Sequence, residues 1–167
     1  MGADFEIPIF DKSLYHGNGG VLAKTRKVRG RQNFVIMEGW CVGIPEISSQ
    51  KFLSICKKNK IDIKKLDPRL KYHRAVLDFI KEYRPLWKFM DYVIMLKADS
   101  PEAHKKWRLL HEKKLKEKKG QGMSKQHVHA FVEPFLPFTY VCYDRIDPDA
   151  KVLIDEHHNF YKIIFQK

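Results

Sequence analysis

The sequence is short of acids. Asp and Glu number 20 against 32 Lys and Arg, which leaves a formal net charge of +12. Such a balance predicts affinity for anions, whether nucleotides, nucleic acid, acidic surfaces or acidic partners, and carries no information about fold. Cysteine is scarce: Cys41, Cys56 and Cys142 are odd in number, far apart and outside any C-x-x-C spacing. That is poor material for a disulfide framework or a zinc site, and it points to a reducing, cytoplasmic setting. No apolar run approaches the roughly 20 residues of a membrane-spanning helix. The first residues lack the apolar core of a secretory signal. Met1-Gly2 opens like an N-myristoylation site, but Glu6 stands where Ser or Thr is required.

A phosphate-binding loop is missing too. G-x-x-x-x-G-K-[ST] cradles phosphate with backbone amides and reaches it with a lysine. Lys24-Thr25 has Ala23 before it, and the first glycine position holds Asn18, so Gly17 to Thr25 fails at both glycines. No Ser/His/Asp or Cys/His constellation can be assembled. Adjacent histidines in a turn, His157-His158, rarely converge on one ion. There is no internal repeat, and the one low-complexity stretch is the Lys-rich segment 104–119.

What is present suits one globular domain: 167 residues, 44% apolar and 13% aromatic. Phe5 to Phe10 reads as extended around Pro8, followed by a glycine-rich loop to Gly20. Residues 24–31 are heavily basic and expected to be mobile. Phe34-Val35-Ile36-Met37 is a continuous apolar run of the kind found in a strand buried on both faces. Residues 46–60 read as helix or loop. Residues 68–90 read as mostly helical, with Leu70, His73, Val76, Leu77 and Ile80 on one side and Pro85 breaking or restarting the helix. Tyr92 to Leu96 is a second buried strand. Ser100-Pro101-Glu102 carries the signals of a helix start, and that helix stops at Gly120. A second helix opens at Ser124, with Val128, Phe131 and Val132 as its apolar side, and Pro134 and Pro137 close it. Val152 to Ile154 and Tyr161 to Phe165 give a hairpin. Buried strands alternating with helices make an α/β class with antiparallel strands at the end.

Three features could carry chemistry. Glu38 follows a strand-like run and precedes Gly39, the position at which α/β enzymes place reactive groups; the alternative is a strand-ending charge in solvent. Arg108 belongs to a cationic helix face opposite Ala103, Trp107 and Leu110. A guanidinium binds phosphate bidentately, and the competing reading is a weak surface pair with Glu112, four residues on. Gly120-Gln121-Gly122-Met123-Ser124 is either a hinge of a closing lid or a plain helix–helix turn.

Together these segments resemble one family. Pro8-Ile9-Phe10-Asp11-Lys12-Ser13-Leu14-Tyr15-His16-Gly17-Asn18-Gly19 resembles the P-x-[YF]-D-K-S-x-x-x-G-x-G-D-R segment of D-glycerate 3-kinase and its relatives. Val35-Ile36-Met37-Glu38-Gly39-Trp40-Cys41-Val42-Gly43 resembles V-I-F-E-G-W-x-x-G, and Trp107-Arg108-Leu109-Leu110-His111-Glu112 resembles W-R-L-Q-x-E. Gly120 to Ser124 with Val128, Phe131, Val132, Pro137 and Tyr140 resembles G-x-G-M-[ST]-D-E-x-V-x-x-F-V-x-x-[YF]-x-P-x-Y. The four motifs occur in order and span residues 5 to 165.

The resemblance implies a three-layer P-loop kinase fold of the phosphoribulokinase and uridine kinase type, with ATP and Mg²⁺ as cofactors and a small-molecule acceptor. On it, Asp11, Lys12, Ser13, Tyr15 and Gly17 line the acceptor side. Glu38 is the acid near Mg²⁺ and the acceptor hydroxyl. Arg108, Gly120, Gly122 and Met123 belong to a lid over the nucleotide within residues 102–140. The family's opening strand, phosphate loop and helix have no counterpart before Asp4, and its G-D-R is Gly19-Gly20-Val21 here. The expectation is therefore a single kinase-like domain, residues 1–167, incomplete at its N-terminal side and inactive by itself. Its nucleotide half would be absent or supplied elsewhere, and an exposed sheet edge would encourage self-association. The alternative is a non-catalytic basic module holding an anionic partner such as nucleic acid through Lys105, Lys106, Lys113 and Lys114, without membrane contact.

Overall fold

The computed structural model describes residues 2–11, 14, 20–119 and 122–166. They form two compact units, Met1–Glu38 and Gly39–Lys167.

The first unit is an antiparallel ribbon of β1 (Phe5–Asp11) and β2 (Gly20–Val28), which runs from Phe5 opposite Val28 to Asp11 opposite Gly20 with a register shift between Pro8 and Phe10. Pro8 is tolerated because a two-stranded ribbon has free edges that need no amide donor. Asp4 fastens the end of the ribbon: it accepts from the Gly30 N–H at 2.9 Å and pairs with Lys27 at 3.4 Å. The Thr25 hydroxyl donates to Glu6 across the strands at 2.6 Å. Of the basic stretch, Lys24 to Val28 lie in the second half of β2, with Thr25 to Val28 paired to β1, and Arg29 to Arg31 follow it.

Phe34 to Met37 corrects the sequence reading outright. The run is neither a strand nor buried: Phe34, Val35 and Ile36 are 89, 86 and 90% exposed. Its composition suits a strand, but strand structure requires a neighbour to take the backbone hydrogen bonds. No strand pairs with it among the described residues.

The second unit runs α1 (Ser49–Lys58), α2 (Ile63–Leu66), α3 (Lys71–Trp87), β3 (Ile94–Ala98), α4 (Pro101–Lys119), α5 (Lys125–Val132), a 3-10 turn (Glu133–Phe135), α6 (Leu136–Arg145), β4 (Ala150–Ile154) and β5 (Phe160–Phe165). The sheet order is β3-β4-β5, with β3 parallel to β4 and β5 antiparallel to it. This is the mixed α/β class expected. The long return from β3 to β4 through three helices is what a parallel pair requires.

Helices α1, α3 and α6 enclose the core, built on Ile44, Phe52, Ile55, Leu77, Ile80, Phe138 and Val141. Ser48 caps α1 by accepting from the Lys51 N–H. The predicted stripe on α3 is the one buried, with His73, Leu77 and Ile80 inside. His73 lies against Phe138 and Phe52, ring centroids 5.7 and 5.6 Å away. Its Nδ1 meets Asp67 Oδ2 at 2.9 Å.

Several details depart from expectation. Pro85 lies inside α3, two residues before its end, where only one hydrogen bond is forfeited. The helix opened at Ser124 ends at Val132, two residues before Pro134, as expected, whereas Pro137 occupies the first turn of α6 and so begins a further helix rather than closing one. β3 is an edge strand and only half-buried: Met95 and Ala98 are inside, whereas Ile94 and Leu96 are more than half exposed. By register, Ile94, Ala150 and Phe165 share one face of the sheet with Leu96, Val152 and Ile163. The hairpin β4–β5 is as read. Asp155 organises its turn by accepting from the N–H groups of His157 and Asn159, both at 2.8 Å. No described helix is long and apolar enough to cross a membrane.

Candidate functional site

The chemistry-bearing groups of the second unit gather on the hairpin of α4 and α5. Helix α4 begins where Ser100-Pro101-Glu102 says it should, and Ser124 caps α5 by accepting from the His127 N–H at 3.2 Å. The buried side of α4 differs from the expected Ala103, Trp107 and Leu110. Ala103 is inside and Trp107 half-buried, but Leu110 is exposed and Glu112 is only 4% exposed.

Glu112 divides its two carboxylate oxygens between two donors. Oε1 lies 2.7 Å from the Arg108 guanidinium, and Oε2 accepts from the Met123 N–H at 2.9 Å. The Met123 amide first, and Arg108 with His111 after it, hold this carboxyl below the ordinary carboxylate range. The Arg108 guanidinium also lies over the Phe131 ring of α5, 4.8 Å from its centroid. Its side chain remains 32% exposed, and its Nε is buried without a partner. Gly122 fits closely beneath: a Cβ there would meet the Glu112 carbonyl oxygen at 3.1 Å and Oε2 at 3.2 Å. At the other end of the hairpin, Lys105 lies 3.7 Å from both Glu102 and Glu133.

Helix α4 is anchored on the sheet by its other face. Trp107 donates to the Glu156 carbonyl at 2.9 Å and stacks on His158, and Lys106 pairs with the Glu156 side chain. His104 Nε2 meets the Tyr143 hydroxyl at 3.1 Å, and that oxygen accepts from the Ala98 N–H. Burial holds His104 below the ordinary histidine range, which favours the neutral imidazole beside the Tyr143 hydroxyl. Two of the four lysines proposed as an anion stripe, Lys105 and Lys106, are therefore already engaged by carboxylates. His157 and His158 take part in no metal cluster, and no group of three or more His, Cys, Asp and Glu among the described residues could hold an ion.

Arg108, Gly122 and Met123 are thus brought together, through Glu112, which the sequence reading named only as a weak surface partner of Arg108. Asp11 ends β1 opposite Gly20 and is half-buried. Glu38 is exposed, and it follows an exposed run without regular structure rather than a buried strand. Asp11 and Glu38 belong to the first unit. Lys12, Ser13, Tyr15, Gly17 and Gly120 lie outside the described residues.

Just past Glu38, Trp40 fixes the loop to α6. Its indole donates to the Thr139 hydroxyl at 3.4 Å, and its ring meets Phe135 edge-on, centroids 5.0 Å apart. Cys41 and Cys142 join the same loop to α6, Sγ to Sγ 3.5 Å.

No protein-family model matches the chain. Three curated proteins are similar to it in sequence. The chloroplastic D-glycerate 3-kinase of Arabidopsis thaliana is 26% identical over 92% of this chain and 33% of its own length. The uncharacterized kinase mug58 of Schizosaccharomyces pombe is 31% identical over 85% of this chain and 51% of its own. The probable ATP-dependent kinase TDA10 of Saccharomyces cerevisiae is 28% identical over 78% and 42%. The chain therefore spans a third to a half of the length of these relatives. Among solved structures, D-glycerate 3-kinase from Cryptococcus neoformans var. grubii superposes with a TM-score of 0.84 over 97% of this chain and 59% of that one, at 23% identity. The YGR205w protein superposes with a TM-score of 0.71 over 96% and 57%, at 24% identity. The relatives of this chain are D-glycerate 3-kinase and proteins named as kinases, and nearly all of it has the fold of part of a D-glycerate 3-kinase.

Proposed function

We propose that this chain forms the acceptor and lid portion of an ATP-dependent small-molecule kinase of the D-glycerate 3-kinase type. The observation that carries the reading is Arg108, a guanidinium fixed by a buried carboxylate and an aromatic ring yet still one-third open on a two-helix hairpin. Arginine so held binds phosphate and stabilises the charge that develops in phosphoryl transfer. The sequence likeness to three kinases supplies the reaction class.

In this reading residues 102–140 are the lid, with Arg108 facing the nucleotide phosphates and Gly120, Gly122 and Met123 forming its turn. Asp11, Lys12, Ser13, Tyr15 and Gly17 receive the acceptor, and Glu38 serves its hydroxyl. Mg²⁺ is commonly held by one or two carboxylates together with phosphates and water. The exposed Glu38 fits one such ligand, and the nucleotide would bring others; the ion supplies charge neutralisation at the phosphates. No G-x-x-x-x-G-K-[ST] loop occurs in these 167 residues, so phosphoryl transfer by this polypeptide alone is expected to be undetectable.

Calorimetry with MgATP on the chain and on Arg108→Ala tests the assignment, alongside a coupled kinase assay with D-glycerate. Submillimolar binding, weakened about tenfold or more by loss of the charge-assisted contact, is expected. Absence of binding at millimolar nucleotide overturns it.

A further inference from the structure

We infer that Glu112 is a positioning residue that makes the Arg108 guanidinium and the turn at Gly122–Met123 one mechanical unit. The inference rests on the reading of Arg108 as the phosphate-facing group and adds how that group would be aimed. Each carboxylate oxygen has its own donor, Arg108 on Oε1 and the Met123 amide on Oε2. The carboxylate is buried, so solvent cannot easily replace either bond. Gly122 leaves no room for a side chain between the turn and the carboxylate. Phe131, from the second helix of the hairpin, closes the other side of the guanidinium. An arginine that shifts to meet a phosphate therefore moves the acceptor of the Met123 amide, and a turn that opens releases the arginine.

Glu112→Gln isolates this function. Glutamine has the same shape but one oxygen, and in either rotamer an N–H faces the N–H of Arg108 or of Met123. Hydrogen exchange of the Met123 amide is measured without ligand in the parent chain, Glu112→Gln, Arg108→Ala and Arg108→Lys. MgATP affinity is measured in the first three and in the double variant Arg108→Ala/Glu112→Gln. A carboxylate that loses its counter-charge relaxes toward water, so Arg108→Ala is expected to speed Met123 exchange about tenfold, like Glu112→Gln. Arg108→Lys, which keeps the charge, restores protection. The affinity losses of Arg108→Ala and Glu112→Gln do not add in the double variant.

Unchanged Met123 exchange in Arg108→Ala, or additive affinity losses, overturns the inference; if the parent chain also binds MgATP in that case, the kinase reading survives. Conversely, a parent chain that binds no nucleotide but shows faster exchange in Arg108→Ala sinks the kinase reading and leaves the link through Glu112 standing.

Discussion

Phe138→Ala should be the most destabilising single truncation in the second unit. The Phe138 side chain is fully buried. It arises from α6 and lies on Phe52 of α1, ring centroids 5.1 Å apart, on His73 of α3 at 5.7 Å, and edge-on to Trp40 at 6.2 Å. Its removal leaves a void bounded by three helices and a loop that cannot all move inward. Buried Phe→Ala changes cost about 3–5 kcal/mol, and loss of the aromatic contacts favours the middle or upper part of that range. For a unit of this size, between the small-domain and large-domain ranges, each kcal/mol lowers Tm by roughly 3–5 °C, so a fall of about 12–25 °C is expected by scanning calorimetry. The urea m-value should stay unchanged, because the same surface is exposed on unfolding. A fall below about 3 °C, equivalent to roughly 1 kcal/mol, would refute the argument that α1, α3 and α6 meet at this ring.

Gly43 has φ +78°, a region in which a Cβ is strained by about 1 kcal/mol or more; Gly43→Ala should lower Tm by a few degrees, and an unchanged Tm would show that the loop relaxes freely. The Asp67 carboxyl is held below its ordinary range, first by the His73 N–H, then by the His73 ring and the Lys71 N–H. A depressed carboxylate stabilises the fold above its unfolded value of about 3.9 and stops doing so as pH falls through its folded value. Asp67→Asn should accordingly flatten the acid side of a Tm-against-pH profile, and an unaltered profile contradicts the assignment. The Cys41 thiol is raised by its hydrogen bond to Cys142 and by burial, and burial pushes Cys56 up to about 11. Thiol titration with a chromogenic disulfide at pH 8 should find these cysteines slow in the native chain and fast in denaturant; rapid native reaction would mean that the loop at Cys41 opens.

Local signals carried the second unit well. The start of α4 at Ser100-Pro101-Glu102, the cap at Ser124, the stripe on α3 and the terminal hairpin are written in spacings of a few residues, and each appears in the structure. What failed depended on partners distant in sequence. Phe34 to Ile36 has the composition of a buried strand, yet burial is a property of the surroundings, and among the described residues no strand adjoins it. On α4, hydrophobicity pointed inward at Leu110, but the buried position belongs to Glu112, because an arginine four residues back and an amide eleven residues on satisfy its carboxylate. No helical pattern registers that second donor, which comes from across the turn. Pro134 follows the end of α5 as a stop should, but Pro137 sits in the first turn of α6, because proline also begins a helix, and the choice at that position follows from the packing of α6 against α1.

The exposed Phe34-Val35-Ile36-Met37 run affects how the chain behaves in concentrated solution. Four uncharged, β-prone residues without proline are the kind of segment that templates cross-strand stacking between molecules. The residues bracketing it oppose this: Arg29 and Arg31 precede it and Glu38 follows it. Charges at the borders of such a segment act as gatekeepers, since stacking identical chains would bring like charges together at each rung. The Glu38 carboxylate thus bears on colloidal stability, whatever else it does. Its neutralisation would remove a repulsive charge beside the stickiest four residues of the first unit.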